Sequence, residues 1–299
     1  MEYCIAINGR LEGDELLLDL FLLELTGYYS GNPYYVTGNA LAHAARLGKT
    51  MTDEQKKTLS VSHGIFRTVI TSGMANYGTA PATYKDFFDA WRTVQNTLVE
   101  LVVPELRYCA PSQEGNAFVL MAPTRVLGKK KVDRDQGEVS TYLSFYATGL
   151  NGLDPNIFDG IQVGGKRNNG MGLTKLHRHI QVDTSTWKLD TIGELGIELI
   201  TPLCTESTFP GCNSVELPEF LETHNFRTRE ERLNIHGKSF QMQLIDHGQA
   251  FKLKSGLTAN NIEKIIMNGI ERIGNHNKYG YGEYKVFEFK RGKEKEKSL

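Results

Sequence analysis

The sequence predicts an α+β protein of two domains. Three observations carry this prediction: a glycine-rich loop that occurs twice about a hundred residues apart, short alternating apolar runs of strand length, and one long run of helical apolar spacing. The loop copies are Gly160-Ile-Gln-Val-Gly-Gly-Lys-Arg-Asn-Asn-Gly-Met-Gly172 and Gly269-Ile-Glu-Arg-Ile-Gly-Asn-His-Asn-Lys-Tyr-Gly-Tyr-Gly282. Each has a lead glycine, a polar and cationic run, a Gly-x-Gly pair and an alternating tail, and a repeated loop implies a repeated domain.

Taken in order, Glu2 to Ile7 alternates and reads as a first strand, whereas Leu16 to Leu25 is apolar enough to be strand or short helix. Thr37 or Asn39 can cap a helix running through Leu47 and stopping at Gly48. From Tyr84 to Val102 the residues Phe87, Phe88, Trp91, Val94, Leu98 and Leu101 recur at helical spacing, and this aromatic stripe belongs in a core. Strands are expected at Ala117 to Met121, Tyr142 to Tyr146 and Leu173 to Val182. The polar Asp183-Thr-Ser-Thr186 starts a boundary that ends near Glu194, so the domains are read as 1–190 and 191–299. Strands follow at Leu195 to Ile200, Ser239 to Ile245 and Ala250 to Leu253. A last helix spans Ile262 to Ile270, capped by Thr258 or Asn260, with Glu263 in capping-box position after Asn260. The stretches 111–139 and 205–238 fit no regular element and read as inserted loops.

Composition bounds the function. At 299 residues and 40% hydrophobic content the chain suits two cored domains. No apolar run reaches the ~18 residues of a membrane span, and Met1-Glu-Tyr-Cys4 does not begin a signal peptide. A cytoplasmic protein with no membrane partner is expected. The four cysteines, Cys4, Cys109, Cys204 and Cys212, form no Cys-x-x-Cys pair, so reduced structural thiols are expected and neither a metal site nor a cofactor is indicated.

The two loops define a ligand class. Glycines admit positive φ and leave no Cβ in the way, so backbone N–H groups approach an extended anion while cationic side chains neutralise it. Neither copy is a nucleotide-binding P-loop, since Gly165 to Gly170 is followed by Met171, and neither holds Gly-x-Gly-x-x-Gly. A phosphodiester backbone is the natural anion. Net charge is −1, so affinity must rest on local basic stretches: Lys129 to Lys131 with Arg125 and Arg134, Lys166 to Arg178, and Lys285 to Lys297. The acidic stretch Glu194 to Glu222 suits a protein neighbour. On the strand after the first loop, His177 and His179 are expected to share a face by simple alternation and to reach bases or phosphates. His63 reads as a helix-end residue or a phosphate contact. No Gly-x-Ser-x-Gly hydrolase motif occurs, and Asp133 has no carboxylate partner for a two-metal site.

The loops resemble the glycine-rich signature of the RAMP superfamily of CRISPR-associated RNA-binding proteins. Tyr35-Val-Thr-Gly-Asn-Ala-Leu-Ala-His-Ala-Ala-Arg46 resembles that family's entry to its first helix. Val132-Asp133-Arg134 with Tyr142 to Tyr146 resembles the middle of the subunits that cap the guide-RNA 5′ end. Glu198-Leu-Ile-Thr-Pro-Leu203 and Asp246-His-Gly-Gln-Ala-Phe251 resemble the opening and close of a second such domain. The resemblance implies two ferredoxin-like (RRM-like) domains with inserted loops, bound to CRISPR guide RNA and to other Cas effector subunits. It implies RNA contacts at Gly164, Gly165, Lys166, Arg167, Asn168, Gly170, Gly172, Arg178, Gly274, His276, Lys278, Gly280 and Gly282, with Tyr279 and Tyr281 either stacking on bases or packing in a core. The same superfamily contains metal-independent repeat-cutting endoribonucleases. That alternative would make His43 a general base, with Tyr35 and Lys49 beside it. The presence of two loops favours the guide-capping subunits.

Overall fold

The computed structural model describes residues 17–26, 29–31, 35–48, 51–70, 80–92, 119–121, 124–125, 139–150, 152–165, 167–185, 187, 194–222, 226–235 and 238–288. The expectations for Glu2 to Ile7, for 93–102 and for most of 111–139 lie outside these residues. Described residues up to Trp187, with Lys278–Gly280, form one compact unit; those from Glu194 to Asn277, with Tyr281–Glu288, form another.

The first unit contains β1 (Leu17–Leu25), β2 (Tyr29–Gly31), β3 (Tyr35–Val36), α1 (Gly38–Gly48), α2 (Asp53–Thr58), β4 (Ser60–Val61) and β5 (Gly64–Ile70). After them come α3 (Tyr84–Asp86), which runs into a π-helical turn at Phe87–Arg92, then β6 (Val119–Met121), β7 (Thr124–Arg125), β8 (Val139–Thr148) and β9 (Thr174–Asp183). Its main sheet is antiparallel in the order β3-β5-β8-β1-β9, with β4 and β7 also on β8, while β2 and β6 pair separately. The described part of the ambiguous run, Leu17–Leu25, is therefore a strand. It is apolar nearly throughout because it lies between β8 and β9 with both faces of the sheet covered, so no solvated face imposes alternation.

On one face, Phe21, Leu23, Leu143 and Phe145 form a core with Leu41, Ala42 and Ala45 of α1 and with Ile157 and Phe158 of a 3₁₀ turn. Thr37 caps α1, accepting a bond from the Ala40 N–H at 3.3 Å. On the other face, Tyr84, Phe87, Phe88 and Trp91 are buried, as the aromatic stripe predicts. Phe87 meets Tyr146 edge-on, Ser144 Oγ donates to the Trp91 carbonyl at 2.9 Å, and buried Arg92 donates to the carbonyls of His63 (3.1 Å) and Ser144 (3.4 Å).

The second unit has β10 (Leu195–Leu199), β11 (Leu203–Ser207), β12 (Thr228–Ile235), β13 (Lys238–Ile245), β14 (Ala250–Lys252), α4 (Ala259–Glu271) and β15 (Tyr284–Glu288). They build two antiparallel three-stranded sheets, β14-β10-β15 and β11-β13-β12. Helix α4 is capped by Thr258, whose hydroxyl accepts from Asn261 N, and not by an Asn260–Glu263 box, because Asn260 is already inside the helix. A complete capping box is formed instead by Thr52 with Gln55, on α2. Gly269 lets α4 approach β15 closely, since a Cβ there would lie 2.4 Å from the Tyr284 carbonyl oxygen.

The expectation that 205–238 lacks regular structure is corrected by β12 and the end of β11. Strand β12 does alternate, but two of its inward-facing members are Arg229 and Glu231, ahead of buried Leu233. Arg229 is ion-paired with Glu231 at 3.4 Å and Asp246 at 3.3 Å, so charge occupies positions where an apolar pattern would have revealed a strand. Burial raises the Glu231 carboxyl above its ordinary range. Burial, and then the nearby Glu231 charge, push the free Cys204 thiol up to about 12. Cys212 is disulfide-bonded, which corrects the expectation of reduced thiols throughout; proximity in space, invisible to Cys spacing, decides pairing.

Candidate nucleic-acid interface

The two glycine loops share one backbone. From Val163 onward each residue of the second copy lies 110 positions after its counterpart, and the φ angles match: Gly164 and Gly274 both +82°, Gly170 +76° and Gly280 +94°, Gly172 +75° and Gly282 +80°. The lead glycines do not correspond, Gly160 having φ +70° and Gly269 lying inside α4. A 3₁₀ turn sits at the same place in each, Arg167–Asn169 and Asn277–Tyr279. The clasp is also the same. Val163 N–H donates to the Gly172 carbonyl at 2.9 Å, and Ile273 N–H to the Gly282 carbonyl at 3.1 Å. A Cβ on Gly172 or Gly282 would fall 1.8 Å from the Val163 or Ile273 oxygen, so glycine is enforced there by both space and φ. Each loop then feeds a strand, β9 or β15, that pairs with the first strand of its unit.

Burial separates the copies. In the first, Ile161 and Val163 anchor the loop in the core, Thr174 Oγ1 donates to the Ile161 carbonyl at 2.9 Å, and Gly170 N–H closes on the Arg167 carbonyl at 2.9 Å. The tip beyond these anchors is open: Arg167, Asn168 and Gly170 are exposed, Gly164 and Gly165 half-buried. Lys166 lies outside the described residues. Arg178, on β9, is also exposed.

In the second copy the polar run turns inward. Asn275 N–H donates to the Cys204 carbonyl at 2.9 Å, and its amide donates to the carbonyls of Thr205 (3.2 Å) and Asn213 (2.7 Å). His276, expected at a phosphate, is 1% exposed with φ +58°; its Nε2 lies 2.8 Å from Ser207 Oγ, and its ring packs edge-on to Phe209. Burial lowers its pKa from 6.5 to about 4, so the imidazole is neutral at pH 7 and supplies no charge. Tyr279 and Tyr281 are core residues. Lys278 is half-buried and donates to the Lys57 carbonyl; burial, then Arg46, lower its pKa. Gly280 stands where a Cβ would be 2.1 Å from His63 Nδ1. His63 is fully buried between β4 and β5, not at a helix end.

Strand β9 departs from simple alternation. Leu22 of β1 pairs with Arg178 and Leu23 with Leu176, which leaves His177 as the extra residue of a β-bulge. His177 therefore meets Tyr142 (ring centroids 5.1 Å), whereas His179 meets Phe21 (5.0 Å), and these two partners lie on opposite faces of the sheet. The expectation of a shared histidine face is corrected by that inserted residue. His179 also bonds buried Asp19 at 2.9 Å, a pair that sequence reasoning missed although Asp19 interrupts the apolar run of β1.

Of the residues considered for catalysis, His43 is exposed on α1, Tyr35 is buried with its ring 4.9 Å from that of His63, and Lys49 lies outside the described residues. Among the described residues no three His, Cys, Asp or Glu side chains converge as a metal site, and no helix is long and apolar enough to cross a membrane.

No family model matches this chain, and no curated protein matches it either. Among solved structures it is similar to a CRISPR protein from Archaeoglobus fulgidus, with a TM-score of 0.29 and 11% identity, over 81% of this chain and 93% of that one.

Proposed function

We propose that this chain is an RNA-binding subunit of a CRISPR effector ribonucleoprotein, gripping the 5′ repeat-derived handle of the guide RNA. In this reading residues 1–190 and 191–299 are two RAMP-like domains of ferredoxin-like ancestry. The observation that carries it is the first glycine loop: an exposed tip bearing Arg167 and Asn168, held open by glycines at positive φ and anchored from below by Ile161 and Val163. Such a tip offers a polyanion both backbone N–H groups and a guanidinium. The antiparallel order β5-β8-β1-β9, with α1 between β1 and β5 in the chain, supports the ferredoxin-like reading of the first domain. The RNA contacts narrow to Gly164, Gly165, Lys166, Arg167, Asn168, Gly170, Gly172 and Arg178. In the second copy Gly274, His276, Lys278, Gly280 and Gly282 serve structure, because their polar groups are turned into the protein.

The test is incubation of the purified protein with labelled CRISPR-repeat RNA in EDTA, scoring shift and cleavage on one gel. A shift without cutting is expected. Metal-independent cutting that His43→Ala abolishes would replace this reading with the endoribonuclease alternative. Neither shift nor cutting would leave the loops a purely architectural role.

A further inference from the structure

We infer that the bulge on β9 is a nucleobase subsite, in which His177 stacks on one unpaired base of a single-stranded RNA whose phosphates lie on the first glycine loop. The inference rests on the RNA-binding reading of that loop and adds a base-contacting residue to it.

Three features of the strand lead there. First, the bulge inserts His177 between the paired residues Leu176 and Arg178, so His177 and Arg178 project from neighbouring positions toward the same face as Tyr142 and do not alternate. Bulges commonly re-aim a side chain in this way beside functional sites. Second, the His177 side chain is exposed, yet its ring is held against the buried Tyr142 ring at 5.1 Å and 64°. An exposed ring fixed by a buried one is a preorganised stacking surface, because little rotamer freedom remains to be lost when a base arrives. Third, Lys175 and Arg178 are exposed on either side of His177 and would meet the phosphates that flank a stacked base. Lys175 pairs with Glu24 opposite, on the Tyr142 face.

Position along the chain fits one continuous ligand. Strand β9 begins two residues after Gly172, so His177 lies about 17 Å from the loop clasp at ~3.3 Å per strand residue. A strand of RNA leaving the loop tip along β9 passes the bulge. The occupant is single-stranded, because a base paired in a duplex has no free face for the imidazole. His179 takes no part: its ring faces Phe21 and its nitrogen is held by Asp19 on the opposite face.

The experiment is an abasic scan. The full chain binds labelled repeat RNA and a series of the same RNA carrying a single abasic site at successive positions, with affinities measured for wild type, His177→Ala and His177→Phe. One abasic position is expected to weaken wild-type binding about tenfold, the cost of losing one base–aromatic stack. In His177→Ala that penalty is expected to fall below about twofold, and in His177→Phe to persist. A penalty unchanged in His177→Ala, or no sensitive position in wild type while tight binding remains, would overturn the subsite and leave the loop reading standing. Absence of any wild-type binding would overturn the loop reading itself, and the subsite with it.

Discussion

Replacing His276 by Asn removes an ionisable group that the second glycine loop buries. Asparagine is chosen because it tolerates the left-handed backbone that His276 adopts at φ +58°. In the folded chain the imidazole has a pKa of about 4, against 6.5 for the free group, because burial disfavours the imidazolium. The folded pKa is the lower of the two, so the unfolded chain binds the proton more readily. The contribution is fully present above pH 6.5 and is lost as pH falls from there toward 4. At about 1.4 kcal/mol per pH unit for one proton, the wild-type protein should lose about 2 kcal/mol between pH 6.5 and pH 4.5 through this residue. Urea unfolding at those two pH values, on wild type and His276→Asn, measures it. The variant is expected to be less stable at pH 7, having lost the Ser207 bond and the Phe209 contact, yet flatter with pH by about 2 kcal/mol. Equal pH dependence in the two proteins would refute the buried, neutral imidazole and, with it, the structural role given to the second loop.

Other expectations concern stability alone. Gly172→Ala should destabilise by more than the ~1–2 kcal/mol of left-handed backbone, because its Cβ would meet the Val163 oxygen. Gly170→Ala, at φ +76° with open space around it, should cost only the backbone part, and urea midpoints of the two variants order them. Thr258→Ala should cost about 1 kcal/mol by uncapping α4, read from the same titration.

The sequence made some of this legible and hid the rest for identifiable reasons. Glycine loops are visible because positive φ and close approach restrict residue choice, and Gly172 and Gly282 meet both conditions. The core stripe Tyr84 to Trp91 was visible because helical spacing survives into the π-helical turn. The inward fate of Asn275 and His276 was hidden: their partners Thr205, Asn213 and Ser207 lie more than sixty residues earlier, and a polar run reads the same whether solvent or carbonyls satisfy it. Strand β12 was hidden by Arg229 and Glu231, whose ion pairs make buried positions look solvated. The His177 bulge was hidden because one inserted residue reverses the face of everything after it, and no local signal marks the insertion.

The most direct test of the central claim is RNA affinity against salt for wild type, Arg167→Ala and Lys278→Ala. If the exposed first loop carries the phosphates, Arg167→Ala should weaken binding across RNA sequences and reduce the log–log salt slope by about 0.7, the share of one single-strand phosphate contact. Lys278→Ala, whose ammonium is held on the Lys57 carbonyl, should leave the slope unchanged. An unaltered slope and affinity in Arg167→Ala would contradict the account, and a lowered slope in Lys278→Ala alone would move the ligand to the second loop.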